Sequence, residues 1–254
     1  MSLPKKDALY VQSVEKAFKV LSVFNAKQSA LSLVQVSQLT GHSKSSAQRF
    51  CYTLEKLGYL TRVKHNSAYE LTAKTTEIGA CFIESNNLVR RARPYLHTLS
   101  IKTDGATTLS ILDENEIIFV SRFLGKEVLE TTVTVGSRLP IYCTASGRAA
   151  ASLLTEPELD EVLAAQSWQQ RTAKTQVDRA QVKALIMQTK ESGYALVEDQ
   201  YVLADLSLAV PIYDSASNIK GAINLALTNT KHTKEQLLSN YLGLMQNTAR
   251  MISG

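Results

Sequence analysis

The chain of 254 residues is long enough for two modest domains that each bury a core, and its net charge of +5 is unevenly spread. Residues 1–93 carry 14 Lys+Arg against 6 Asp+Glu, while the remainder carries 14 against 17, so the N-terminal part is the one suited to phosphate contact. No run of ~18 apolar residues and no charged-then-apolar export signal occurs, so nothing argues for a membrane or secreted location and the cytoplasm is the expected one.

In chain order, Val14, Ala17, Leu21 and Phe24 repeat at helical spacing behind Ser13 and predict a supporting helix. Ser32 is placed to cap a second helix with Val36 and Leu39 inward, and Gly41 then permits a sharp turn. A third helix runs from its cap at Ser43 to its stop at Gly58, with Ala47, Phe50, Cys51, Leu54 and Leu57 on the apolar face. Its opposite face offers Lys44, Ser45, Gln48, Arg49 and Tyr52, side chains able to bond phosphates and the base edges of a major groove. Residues 59–64 and 68–72 read as strands around the turn formers His65, Asn66 and Ser67, placing Arg62 and Lys64 on a wing beside the DNA backbone. Residues 7–73 are thus expected to form a winged helix-turn-helix domain for duplex DNA.

Over residues 74–93 a linker helix is expected, with a stripe of Ile78, Cys81, Phe82, Ser85 and Val89 followed by Arg90, Arg91 and Arg93. Pro94 is expected to end it and to open the next helix. The stripe wants an apolar partner, either its own domain or a second copy of the chain. From 94 to 254, strands at 106–112, 116–123, 128–135, 206–213 and 219–228 alternate with helices at 145–154, 158–165, 178–192 and 233–252. That order predicts an α+β domain, an antiparallel sheet flanked by helices. Thr144 and Ser146 fall at a predicted helix start, where unpaired N–H groups would favour a carboxylate.

Cys51, Cys81 and Cys143 have neither paired nor metal-ligand spacing, so reduced core thiols are expected, with no metal and no cofactor. Cys143, near the same helix start, is the one candidate enzymic nucleophile, for a small carbonyl substrate. None of His42, His65, His97 and His232 forms a motif with it, which disfavours an enzyme. An RNA-binding role is disfavoured because no exposed aromatic platform motif appears.

The run Leu31-Ser32-Leu33 to Thr40-Gly41, then Lys44-Ser45-Ser46, Leu54-Glu55-Lys56-Leu57-Gly58-Tyr59 and Tyr69-Glu70-Leu71, resembles the DNA-binding domain of the IclR family of bacterial transcriptional regulators. The stretch from Gly136-Ser137-Arg138-Leu139-Pro140 through Tyr142-Cys143-Thr144-Ala145-Ser146-Gly147-Arg148 resembles that family's effector-domain signature, and Tyr194-Ala195-Leu196-Val197 with Ser207-Leu208-Ala209-Val210-Pro211 resembles its second. The first signature is most similar to the branch that controls aromatic-acid catabolism through the β-ketoadipate route. A Gly-Leu-Arg triplet usual there is replaced by Ala204, Asp205 and Leu206.

The resemblance implies a GAF-like sensor domain whose pocket includes Thr144, Ala145 and Ser146. By position in the second signature it adds Glu198 and Ser207, with Asn224 on the facing strand. Arg122 and Tyr142 are further candidates, for ion pairing and ring stacking. It also implies a small organic acid effector, aromatic or otherwise, from a catabolic pathway. The implied assembly is a homodimer, or a dimer of dimers, on a pseudo-palindromic operator, with the linker stripe as a dimer contact.

Overall fold

The computed structural model describes residues 9–126 and 133–253, and the chain divides into two compact units between Phe82 and Ile83.

In the first unit, α1 (Gln12–Ser22), α2 (Leu33–Thr40) and α3 (Lys44–Lys56) enclose Val20, Val36, Ala47, Cys51 and Leu54. A small sheet of β1 (Ala30–Leu31), β2 (Leu60–Arg62) and β3 (Tyr69–Leu71), ordered β1-β3-β2, closes this core with Leu31, Leu60 and Tyr69. The helix ends follow local chemistry. Ser32 and Gln35 form a reciprocal capping box at α2, and Ser43 Oγ accepts from Ser46 N at α3. The turn between the helices rests on Gly41 at φ +70°, a conformation that glycine adopts without steric cost.

Several inward assignments change. α1 starts at Gln12 behind Val11, not behind Ser13, and it buries Val20 while Val14 stays exposed. Leu39 and Leu57 are exposed; Thr40 takes the buried place in α2 by donating its hydroxyl to Val36 O at 2.6 Å. The pairing of β1 with β3 was not anticipated, since two residues are too short to show alternation.

No single linker helix runs to Pro94. α4 (Thr75–Ser85) ends at Asn86, whose side-chain oxygen accepts from Val89 N at 3.1 Å and caps α5 (Asn87–Thr103). Pro94 lies inside α5, which Leu88, Val89, Ala92, Leu96 and Leu99 hold against the second core. The expected stripe is therefore split: Ile78 and Phe82 are exposed on α4, while Val89 is buried on α5.

The second unit is a six-stranded antiparallel sheet, β6-β5-β4-β9-β8-β7, between two helical layers. Its strands are β4 (Ala106–Asp113), β5 (Glu116–Phe123), β6 (Arg138–Pro140), β7 (Ala195–Glu198), β8 (Asp205–Asp214) and β9 (Ile219–Thr228). Leu206, Leu208 and Val210 of β8 and Ile223, Leu225 and Leu227 of β9 pack with α5 and α9 (Lys234–Ile252). The alternate residues Ala209 and Ala222 pack with α6 (Ala145–Ala151), α7 (Glu156–Ala164) and α8 (Arg179–Ser192). Of the strand expected at 128–135, residues 128–132 lie outside the described residues and 133–135 are not strand; β6 follows instead.

Candidate nucleic-acid interface and ligand cavity

With 3.6 residues per turn, Ser45, Arg49, Tyr52 and Lys56 of α3 lie opposite the buried Ala47, Cys51 and Leu54, while Lys44 and Gln48 stand on one flank. All six are exposed. Lys56 was missed from sequence; its Nζ sits 5.4 Å from the Tyr52 ring centre and adds a cation to the face. On the wing, Lys64 is exposed in the turn after β2. Arg62 is otherwise engaged: Nε donates to Glu55 Oε2 at 3.2 Å and Nη2 to Tyr69 OH at 2.8 Å. Its guanidinium ties β2 to α3 and β3.

On the α6 side of the large sheet a cavity of about 70 Å³ opens. Its floor follows from strand register. Thr108 on β4 lies opposite Arg122 on β5 and Asn224 on β9, so the three side chains form one cross-strand row. In the next row Ala226 lies between Ala106 and Ser207, and the two alanines leave the space. Asp205, two residues before Ser207 on the same face of β8, closes one side, and its carboxylate accepts the Ser207 hydroxyl at 3.0 Å. Enclosure by protein pushes the Asp205 carboxyl up to about 7, with Asp199 adding to the rise and the Ser207 bond and Arg122 opposing it. Burial lowers the Arg122 guanidinium and Asp205 opposes that shift, so the two are electrostatically coupled. Among the described residues Thr108 Oγ1 and Asn224 Oδ1 are buried with no hydrogen-bond partner.

Thr144, Ala145 and Ser146 line the same cavity. Here α6 is only seven residues long, and its capping need is met within the chain: Thr144 Oγ1 accepts from Gly147 N at 3.1 Å and donates to Pro140 O at 2.7 Å. The expected helix over 145–154 and its pull on a carboxylate are correspondingly reduced, and among the described lining residues Arg122, itself engaged within the protein, carries the positive charge. Arg138 is not available for that task, since Asp113 at 2.7 Å and Glu116 at 2.8 Å hold it on the surface.

Two expected pocket residues stand elsewhere. Tyr142 is fully buried with its ring 5.0 Å from that of Trp168 and its hydroxyl bonded to the Gln169 backbone. Glu198 pairs with Lys234 at 2.9 Å and Lys174 at 3.8 Å; the Lys234 hydrogen bond holds its carboxyl below the usual range. Tyr201, Phe119, Thr108 and Asp205 line the space without having been predicted. Of these only Asp205 left a sequence signal, its same-face spacing from Ser207.

Cys143 is buried, and burial pushes its thiol up to about 11, the opposite of an activated nucleophile. Cys51 is also buried, whereas Cys81 is exposed, which corrects the expectation of three core thiols. Among the described residues no cluster of His, Cys, Asp and Glu could hold a metal ion, and no helix is long and apolar enough to cross a membrane.

A winged helix-turn-helix with a basic outer face, carried on the same chain as a helix-covered sheet with a small cavity, defines a ligand-responsive transcriptional regulator. Residues 13–64 match the model of the IclR helix-turn-helix domain and residues 80–254 that of the bacterial transcriptional regulator IclR C-terminal domain; the chain belongs to the IclR family. It is a DNA-binding transcriptional regulator with an effector-binding C-terminal domain, and not an enzyme.

The HTH-type transcriptional regulator XynR of Escherichia coli K12 is 30% identical over 96% of each chain. The Pca regulon regulatory protein of Pseudomonas putida is 27% identical over 96% of this chain and 84% of its own. Similarity therefore does not single out the aromatic-acid branch. An IclR homologue from Microbacterium hydrocarbonoxydans, solved in complex with 4-hydroxybenzoate, shares the fold at a TM-score of 0.77 and 19% identity, over 95% of this chain and 97% of that one.

Proposed function

We propose that the cavity between the sheet and α6 is the effector site and that its ligand is a small organic acid. The observation that carries this is the row Arg122–Thr108–Asn224, which puts a guanidinium beside a partly open cavity lined largely by apolar side chains such as Phe119, Leu139 and Ala226. Such a cation offers a carboxylate a bidentate partner out of bulk water. That the similarly folded M. hydrocarbonoxydans homologue was solved with an acid supports the class. Thr144, Ala145, Ser146 and Ser207 would line the ligand, and Tyr142 and Glu198 would not touch it.

DNA reading falls to α3 and the wing. Gln48 and Arg49 face base edges, and Lys44, Ser45, Tyr52 and Lys64 contact mostly phosphates. Two copies of the chain read a pseudo-palindromic operator in the cytoplasm, as a homodimer or a dimer of dimers, with the exposed Ile78 and Phe82 of α4 offering an apolar contact between copies. The ligand acts through its differential affinity for two spacings of the DNA-binding units.

Gel-shift titration of the full chain on the DNA upstream of its own gene tests this reading. Salt-sensitive retention that an organic acid alters, in wild type but not in Arg122→Gln, is the expected result. Absence of salt-sensitive retention overturns the DNA reading, and an acid response that survives Arg122→Gln overturns the assigned site.

A further inference from the structure

The two flanks of α3 are not equivalent. By helical period Lys44, Gln48 and Glu55 share one flank, and there Glu55 accepts from Arg62 of the wing. Ser46, Phe50 and Thr53 share the other, where α1 packs instead. Between the two helices runs a groove of about 420 Å³, lined by Gln12, Ser13 and Lys16 of α1 and by Arg49 with that flank of α3. Its walls are held to each other: His42, in the turn before α3, donates from Nε2 to Lys16 O at 3.3 Å and sets its ring 5.8 Å from that of Phe50. No carboxylate lines the groove, since Glu15, the one acid of α1, stands outside it. Among the described residues no ion pair or side-chain hydrogen bond engages Lys16 or Arg49. Apart from Phe50, the neutral lining groups are hydroxyls and an amide. Two free cations among neutral donors suit the oxyanions of a nucleic-acid backbone. Arg49 belongs both to this groove and to the outermost row of α3, so the groove opens onto the surface assigned to DNA. A helix in a major groove ~12 Å wide has a phosphate backbone on each side. The wing meets one side, and the α1 groove is placed for the other.

We propose that Gln12, Ser13 and Lys16 of α1 bind the DNA backbone on the side of α3 away from the wing, which makes α1 a third contact element. This rests on the reading of α3 as the DNA-facing helix. Lys16 neutralises a phosphate, and Gln12 and Ser13 donate to its oxygens. With an anchor on each flank α3 is held against rolling about its own axis. Lys16 is thus a positioning residue for Arg49 at the base edges, and carries no sequence preference of its own.

The test is ethylation interference and salt-dependent gel-shift titration of the full chain, on the DNA upstream of its own gene and on a random duplex of equal length. Lys16→Gln is expected to lower affinity for both duplexes at least about fivefold at low salt, and to flatten the slope of log affinity against log salt by about one per copy bound. Ethylation should cease to interfere at a phosphate across the major groove from the one lost in Lys64→Ala. Lys16→Arg, which keeps the charge, should restore most of the affinity. Gln12→Ala and Ser13→Ala should each cost about threefold with no change of slope, because a neutral donor releases no counterion. Lys27→Gln is the control: Lys27 precedes β1 at the end where Ala30 pairs with Glu70, away from the wing turn, and does not line the groove. It removes the same charge and should leave slope and interference pattern as in wild type. An unchanged slope in Lys16→Gln, an equal change in Lys27→Gln, or a wild-type interference pattern in Lys16→Gln overturns the proposal. Binding that Lys64→Ala weakens and Lys16→Gln does not sinks only the role of α1. Absence of salt-sensitive retention in wild type sinks the DNA reading itself. Circular dichroism melts of each variant establish that a loss of binding is not a loss of fold.

Discussion

Arg62 of the wing donates to Glu55 of α3 at 3.2 Å, so the one arginine in β2 is bonded to a carboxylate beside the face it would serve. The pair is partly exposed, so its worth to stability is small, but its effect on the field at the DNA surface is not. Glu55→Gln removes one negative charge and loosens Arg62 toward a phosphate. Operator affinity at low salt should rise at least about twofold, and the slope of log affinity against log salt should steepen by about one. An unchanged slope in gel-shift titrations would show that Arg62 never reaches the backbone.

Arg49 and Lys64 separate the two parts of recognition. Arg49 lies on the outermost row of α3, whereas Lys64 stands on the wing turn after β2. Arg49→Ala should cost about 1–3 kcal/mol on the operator and relax base preference at one position. Lys64→Ala should weaken all sequences alike and flatten the salt slope by about one. Equal losses on every sequence for both variants would contradict this division of labour.

What could be read from the chain alone divides along a physical line. The helix-turn-helix was legible because its signals are local: Ser32, Gly41, Ser43 and Gly58 each act within four residues of where they stand. The long strands β4, β5, β8 and β9 and the closing helix of the second unit were legible from alternation and period, whereas the three- and four-residue strands β6 and β7 are too short to show it. The break at Asn86 was hidden because the apolar period runs on across it, and Pro94 misled because burial of Leu96 and Leu99 outweighs one missing helix bond. The cavity was legible only in part. Ser207 sits in a sequence motif and Asn224 on the strand expected to face it, but the row joining Arg122, Thr108 and Asn224 exists only through the register of three strands.

Close packing at α6 gives a stability prediction. A Cβ on Gly147 would lie 2.4 Å from Ile141 Cα and 2.5 Å from Thr144 Oγ1, the very hydroxyl that caps the helix. Neither neighbour is the far end of a flexible side chain. Gly147→Ala should therefore destabilise the second unit by about 1–3 kcal/mol and displace Thr144 from the cavity edge. Urea unfolding followed by near-ultraviolet signal of Trp168, the one tryptophan, reads the first effect directly. A midpoint within error of wild type would mean that the backbone before α6 gives way freely.

Asp205 makes the second unit sensitive to pH, with a definite sign. Its carboxyl is raised to about 7 in the folded chain, against about 3.9 in an unfolded one, so between those values the folded state binds the proton more tightly. Stability from this group is full below pH ~4 and is lost as pH rises through about 7. Enclosure by protein is the largest cause of the rise; the Ser207 hydroxyl, which donates to the ionised form, and Arg122 oppose it, and Asp199 adds to it. Asp205→Asn keeps a partner for Ser207 and cannot ionise. Its melting temperature should exceed that of wild type at pH 8 and approach it at pH 5, with the difference closing as pH falls through about 7. Binding of an anionic ligand follows the same proton, because an ionised Asp205 repels a second carboxylate while Arg122 is shared between them. Wild-type affinity should fall as pH rises past 7, and Asp205→Asn should hold its affinity over that range. Parallel pH profiles for the two proteins, in melting and in binding, would show that Asp205 is ionised throughout and that Arg122 alone sets the charge of the site.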